Sequence, residues 1–241
     1  MQIIKAKNYD DAGAKAAEII AAQIVLKPRS VLGLATGATS VGIYRRLVEL
    51  YKNKELDFSE ITTFNLDEYI GLSAEDTQSY RYFMQENFFR HINILQENTH
   101  LPNGLENDAV TECMRYENLI QKNGGIDLQL LGIGHNGHIG FNEPSGCFVN
   151  NTNLVCLAQR TIEANRIFFD SEKEVPRRAY TMGIGTIMRA RRIVMVVSGR
   201  DKADIIKRAF TGHILPEVPA SVLQFHSDFT LVGDDEALSL L

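Results

Sequence analysis

The stretch Val31-Leu-Gly-Leu-Ala-Thr-Gly-Ala-Thr-Ser40 passes from a short apolar strand, through a glycine turn, into a run of helical period. Strand, tight turn and helix form the repeating unit of a parallel sheet, because a parallel partner strand is reached only by a crossover. Working outward from this stretch, the alternation recurs. Short apolar or β-branched runs at 30–35, 61–65, 128–132, 192–197 and 222–226 read as strands. Periodic runs near 10–26, 39–54, 79–91, 108–122 and 201–210 read as helices. Asp10 and Ser79 stand where N-caps belong, and Asp201 opens a run in which Ala203, Ile206 and Phe210 share a face. The expected class is α/β: an open, mainly parallel sheet with helices on both faces.

Composition narrows the function classes. Of 241 residues, 44% are hydrophobic and 23% charged, ordinary globular usage that rules out collagen, coiled coil and disorder. No repeat, low-complexity tract or Pro/Gly/Ser linker divides the chain, so one domain over 1–241 is expected. The segment 144–178 is mixed in polarity and weakly periodic, and reads as a lid over a site. With 25 Lys and Arg against 30 Asp and Glu, the net charge of -5 gives no general attraction to nucleic acid or anionic lipid. Three cysteines, Cys113, Cys147 and Cys156, form no CxxC pair and suit free thiols in a reducing compartment. Lys5, Lys7, Asp10, Asp11, Lys15 and Glu18 interrupt the early apolar runs, so no signal peptide is read, and no apolar run is long enough to span a bilayer. A cytoplasmic location is the expectation.

Three segments carry chemistry. In Thr36, Gly37, Ala38, Thr39 and Ser40, helix-start N–H groups and three hydroxyls surround a glycine that lets a ligand approach the backbone, a phosphate-binding layout; the alternative is an ordinary capped βα turn. The turn is neither GxGxxG nor GxxxxGK[ST], so no dinucleotide or nucleoside triphosphate is implied. In Thr63-Phe-Asn-Leu-Asp-Glu-Tyr-Ile-Gly-Leu72 a strand ends in Asp67 and Glu68, and the carboxyl ends of strands are where open α/β sheets face their ligand crevice. A carboxylate there serves as a general base, or else Asp67 caps the next turn and Glu68 is solvated, while Tyr69 packs. The third segment, Leu130-Leu-Gly-Ile-Gly-His-Asn-Gly-His-Ile-Gly-Phe-Asn-Glu-Pro144, again ends a strand in a glycine-rich turn, here with His135, Asn136, Gly137, His138, Asn142 and Glu143. His138 is the natural proton shuttle, with an amide and a carboxylate to fix its tautomer. A metal started by His135-x-x-His138 and a Cys147–His138 nucleophile pair are weaker alternatives on the same residues.

These motifs, with Thr36-Gly-Ala-Thr39, Ser79-Tyr80, Tyr180-Thr-Met-Gly-Ile-Gly185 and Ser198-Gly-Arg-Asp-Lys-Ala203, make the chain resemble the glucosamine-6-phosphate deaminases of the glucosamine/galactosamine-6-phosphate isomerase family along nearly its whole length. The resemblance implies a modified Rossmann-like sheet and cofactor-free, metal-free conversion of glucosamine 6-phosphate and water into fructose 6-phosphate and ammonia. Carried over residue by residue, it implies that His138 opens the pyranose ring, that Asn136 and Glu143 support the imidazole, and that Asp67 moves a proton from carbon 2 to carbon 1. Glu68 would help steer protons, and Thr36 to Ser40, Gly137 and Lys202 would contact the substrate, with Lys202 and the loop on its phosphate.

Two departures from the family pattern stand out. Many members carry Asp where this chain has Asn136, and members place a phosphate-binding Arg directly before paired aromatics, where this chain has Asn165-Arg-Ile-Phe168. Arg166 is therefore the expected phosphate contact from a position one residue early. The chain ends soon after Leu231-Val-Gly-Asp234, without the longer tail of hexameric members, which implies a monomer or small homo-oligomer. The competing readings are a 6-phosphogluconolactonase-like hydrolase and a non-catalytic sugar-phosphate sensor, although no DNA-binding helix-turn-helix precedes Val31.

Overall fold

The computed structural model of the chain describes residues 1–157, 162 and 175–241. In chain order the first elements are β1 (Gln2–Ala6), α1 (Tyr9–Leu26), β2 (Val31–Leu34), α2 (Ala38–Lys52), β3 (Thr62–Asn65), β4 (Asp67–Tyr69), α3 (Tyr80–Asn87) and β5 (Thr99–His100). They are followed by α4 (Ala109–Lys122), β6 (Leu128–Leu131), β7 (Asn153–Cys156), β8 (Arg178–Thr181), α5 (Ile184–Met188), β9 (Arg192–Val197), α6 (Ala203–Thr211) and β10 (Phe229–Asp234). Among the described residues, one sheet has the strand order β1-β10-β9-β6-β2-β3-β5, with every pairing parallel. Its central strands β2 and β6 are buried along their length, as a sheet covered on both faces requires. A smaller antiparallel sheet, β4-β8-β7, stands beside it.

The helices start where short polar side chains satisfy their first N–H groups. Asn8 accepts from Asp11 N at the head of α1, Ser79 from Tyr82 N at α3, and Asp108 from Val110 and Thr111 at α4. Asp10, expected as the first cap, instead lies inside the first turn, where its charge suits the helix dipole. Helices α1 and α2 pack closely: a Cβ on Gly13 would stand 3.3 Å from the Gly42 backbone. At the amino ends of the strands, the buried Asp127 accepts from Val31 N (2.8 Å) and pairs with Lys27 and Arg191, tying β2 to β6.

The strand expected at 222–226 is a 3-10 turn, Pro219–Phe225. Proline starts the turn without needing a ladder donor, and Phe225 points outward while Val222 and Leu223 are buried, which is not the alternation of a strand. The strand itself is β10, three residues later, fully buried between β1 and β9. Of the segment 144–178, the described part contains β7 and the first residue of β8; Arg166 lies outside the described residues. Tyr69, Phe141, Leu157, Ile162, Val175 and Ala179 form a second apolar cluster under the small sheet.

The chain runs from β2 to β3 and β5 on one side, then returns to β6, β9 and β10 on the other. The order therefore reverses between β2 and β6, and the loops after these two neighbouring strands bound a crevice.

Candidate active site

That crevice is a pocket of about 210 Å³. Its floor is made of strand ends, Ala35, Leu130, Leu131 and Val196. One wall is the loop after β2, Thr36 to Ser40. Gly37 has φ 104°, a left-handed value favouring glycine, and nothing lies within 4 Å of where its Cβ would stand, so the backbone faces open space. Tyr44 and Tyr9 hold the loop from outside by donating to Ala35 O (2.6 Å) and Ala38 O (2.5 Å). Ser40 spends its N–H and hydroxyl on Gly37 O, at 3.1 and 2.7 Å, leaving the outward N–H groups of the α2 start and the Thr36 and Thr39 hydroxyls as donors toward the pocket.

Asp67 forms the opposite wall. After Asn65 the chain leaves the parallel sheet, and Asp67 becomes the first residue of β4, paired with Thr181 of β8. Its side chain is buried, and among the described residues no cation is paired with it. Burial, with a smaller push from the neighbouring Glu68, raises its carboxyl to about 8. Glu68 points elsewhere. Its two oxygens accept from Tyr69 N (2.8 Å), Tyr80 N (2.9 Å) and Arg81 N (2.9 Å), so it holds the amino end of α3 against β4 and does not line the pocket. Burial raises the Glu68 carboxyl, against these three N–H groups. Glu68 is thus placed to position α3 against β4, and it is not among the residues that line the pocket.

The loop after β6 supplies the imidazole. His138 Nδ1 lies 2.8 Å from Asn136 Oδ1 and 3.3 Å from Glu143 Oε1, and Asn136 Nδ2 donates to Glu143 Oε2 at 2.5 Å. This chain calls for the tautomer in which Nδ1–H donates to Asn136, and it leaves Nε2 available to a ligand. The ring rests over Gly134, where a Cβ would meet His138 Cε1 at 2.2 Å. At Gly140 the imidazole loop meets the base: a Cβ there would stand 3.5 Å from Asp67 Oδ2 and 2.9 Å from Thr181 Oγ1. Asp67 and His138, far apart in sequence, therefore line one pocket with the Thr36–Ser40 loop.

The remaining expected residues stand further out. Lys202 follows β9 and donates from Nζ to Ile133 O (3.1 Å), which keeps its charge at the pocket rim beside a lining residue. Gly137 turns its carbonyl to Ala220 N (2.8 Å) and packs against Val218, so its part is to brace the loop. His135 is exposed and 2.6 Å from Asp201, pointing to a different partner from His138. Among the described residues no group of three or more His, Cys, Asp or Glu side chains is placed to hold a metal. Cys147 is exposed on a separate cleft, which also contains Glu143 and Cys156, and does not line the pocket with His138. Tyr80 and Phe141 line the pocket and were given no role by the sequence reading; Ser79-Tyr80 carried a family signal but no chemical one.

The family described as glucosamine-6-phosphate isomerases/6-phosphogluconolactonase matches residues 5–232. A glucosamine-6-phosphate deaminase of Lachnoclostridium phytofermentans is 56% identical over 232 residues, covering 96% of this chain and 98% of that protein. One of Halothermothrix orenii is 53% identical over the full length of both. A solved structure described as a monomeric glucosamine-6-phosphate deaminase superposes with a TM-score of 0.96 at 45% identity, covering 100% of both chains. A 6-phosphogluconolactonase from Trypanosoma cruzi, at 18% identity, TM-score 0.77 and coverage of 100% and 96%, shares the fold.

Proposed function

The chain belongs to the family of glucosamine-6-phosphate isomerases and 6-phosphogluconolactonases, and from that premise we propose that it is a glucosamine-6-phosphate deaminase, an enzyme of amino-sugar metabolism that forms fructose 6-phosphate and ammonia. The observation that carries the reading is the convergence of Asp67, His138 and the Thr36–Ser40 loop on one pocket.

The polarity of the pocket suits the substrate. A phosphate belongs at the N–H and hydroxyl groups of the α2 start, with the Lys202 charge nearby. The amine belongs at the other end, beside Asp67. In the empty protein the Asp67 carboxyl holds its proton at neutral pH, because ionisation is disfavoured by burial. An arriving ammonium within about 4–6 Å lowers such a carboxyl by about 1–3 pH units. The substrate thus generates its own base on binding.

The steps then follow from the groups present. His138, oriented through Asn136 and Glu143, takes the anomeric hydroxyl proton at Nε2 and returns it to the ring oxygen, opening the ring. Asp67 takes the proton from carbon 2 and returns it to carbon 1. The carbon–nitrogen double bond left at carbon 2 adds water and releases ammonia. Asn136 passes Glu143's charge on to the imidazole as a hydrogen bond.

No helix among the described residues is long and apolar enough to cross a membrane. A monomer in the cytoplasm is the proposed working state. The test is to incubate the purified protein with glucosamine 6-phosphate and, separately, with 6-phosphogluconolactone. Equal amounts of ammonia and fructose 6-phosphate from the first, with lactone hydrolysis at the uncatalysed rate, support the deaminase. Accelerated lactone hydrolysis without ammonia release makes it a lactonase, and substrate binding without either product makes it a sensor.

A further inference from the structure

The pocket contains a third group able to act on the sugar chain. Tyr80 is the first residue of α3, and its N–H is one of the three held by Glu68. The carboxylate next to the base therefore also fixes where this phenol stands. The ring lies parallel to Phe141 (centroids 6.0 Å apart, 9° between planes) and against Tyr69 (4.8 Å). So held, Tyr80 lines the same pocket as Thr36 and Asp67. Its hydroxyl donates to the Tyr69 hydroxyl oxygen, Oη, at 3.2 Å, longer than the usual O–H···O range of about 2.5–3.0 Å. A weak bond of that kind is readily exchanged for a better acceptor.

Proton removal at carbon 2 makes such an acceptor. The C–H electron pair becomes the carbon 1–carbon 2 double bond, and the carbonyl pair of carbon 1 moves onto its oxygen. That oxygen is bonded to the atom next to the one Asp67 attacks, so a donor that lines the same pocket as Asp67 is placed to meet it. We propose that Tyr80 is a catalytic residue that donates a hydrogen bond to the carbon 1 oxygen as charge develops on it. Tyr80 keeps its proton throughout: the proton that ends on this oxygen comes from the substrate ammonium, and the proton returned to carbon 1 comes from Asp67. Burial and the neighbouring Tyr69 and Asp67 keep the phenol well above its ordinary value, which suits a donor that must not ionise. This assignment rests on the deaminase reading and falls with it if the unaltered protein releases no ammonia.

The experiment compares the unaltered protein with Tyr80→Phe and Tyr69→Phe for kcat, KM, thermal midpoint and exchange of the substrate's carbon 2 proton with deuterated water. Tyr80→Phe keeps the ring stack and removes only the hydroxyl. The expected result is a fall in kcat of about 100-fold, as for loss of one oxyanion donor, with a matching fall in exchange. KM and midpoint should stay close to the unaltered values, and Tyr69→Phe should keep kcat within threefold. The assignment is overturned if Tyr80→Phe keeps kcat within threefold, if only KM rises, or if exchange is undiminished while ammonia release slows. Should Tyr80→Phe fold poorly, 3-fluorotyrosine at position 80, a stronger donor of the same shape, must retain or exceed the unaltered exchange rate; a tenfold loss overturns the proposal.

Discussion

Replacing Asp67 by Asn should make this protein more stable and inactive at once. The side chain is 6% exposed with its carboxyl raised from 3.8 to about 8. Between those values the folded protein holds a proton that the unfolded chain has lost, so the stability of the unaltered protein falls as pH rises from about 4 to about 8. At about 1.4 kcal/mol for each tenfold, the ceiling on this loss is about 5 kcal/mol at pH 8. An amide of the same shape escapes it but brings a buried polar group of its own, worth about 1–3 kcal/mol when poorly paired. The expected net gain is about 2–4 kcal/mol at pH 8, or about 4–16 °C in midpoint for a chain of this size. The assay is thermal unfolding of both proteins at pH 4.5, 6, 7 and 8. At pH 4.5, where the carboxyl's penalty has shrunk to about 1 kcal/mol, the variant should be no more stable than the unaltered protein, and its advantage should appear and grow steadily as pH rises. If the variant is no more stable at pH 8, or if the difference does not depend on pH, Asp67 is not a buried carboxyl that resists ionisation and the reasoning about its proton is wrong.

Three further outcomes follow from named contacts. Glu68→Gln offers one acceptor oxygen to three N–H groups that now share two, so stability should fall by about 1–3 kcal/mol; because a like charge is also removed, the acid limb of the kcat/KM profile should move to lower pH as the Asp67 carboxyl drops. Gly37→Ala meets no atom but strains a φ of 104°, at about 1–2 kcal/mol, and should raise KM for the phosphorylated substrate several-fold with kcat little changed. Glu117→Ala removes the acceptor shared by Thr152, Thr186 and Arg189, which joins α4 to β7 and α5; urea unfolding should show a loss of about 3 kcal/mol, with kinetics unaltered.

The middle of the central sheet, β2, β3, β6 and β9, was legible because these are short runs rich in apolar or β-branched residues, and burial on both faces writes that pattern into sequence, whereas the edge strands β1 and β5 were not read. Nor was the small sheet. Its strands have three or four residues, and Asp67-Glu68-Tyr69 is strand only because β8 pairs with it from more than a hundred residues away. Position 222–226 misled for a related reason, since Val222 and Leu223 are buried by a 3-10 turn as thoroughly as by a strand. In the site, the glycine-rich loops announced themselves through residue type. Which carboxylate faces the pocket did not: Asp67 and Glu68 are adjacent and chemically alike, and alternation along β4 separates them, sending one to the pocket and the other to the α3 start. Gly134 and Gly140 were visible as glycines, but their reason, room for the His138 ring and close approach to Asp67, is tertiary.

The central claim is that one buried carboxyl, Asp67, moves the proton that turns an amino-sugar phosphate into a ketose phosphate and ammonia. Its most direct measurement is ammonia release from glucosamine 6-phosphate by the unaltered protein and by Asp67→Asn, with substrate binding to each followed by calorimetry. The account predicts release by the unaltered protein and a loss of at least a thousandfold in a variant that is folded, more stable at pH 8 and still able to bind. Release by Asp67→Asn within tenfold of the unaltered protein would contradict it.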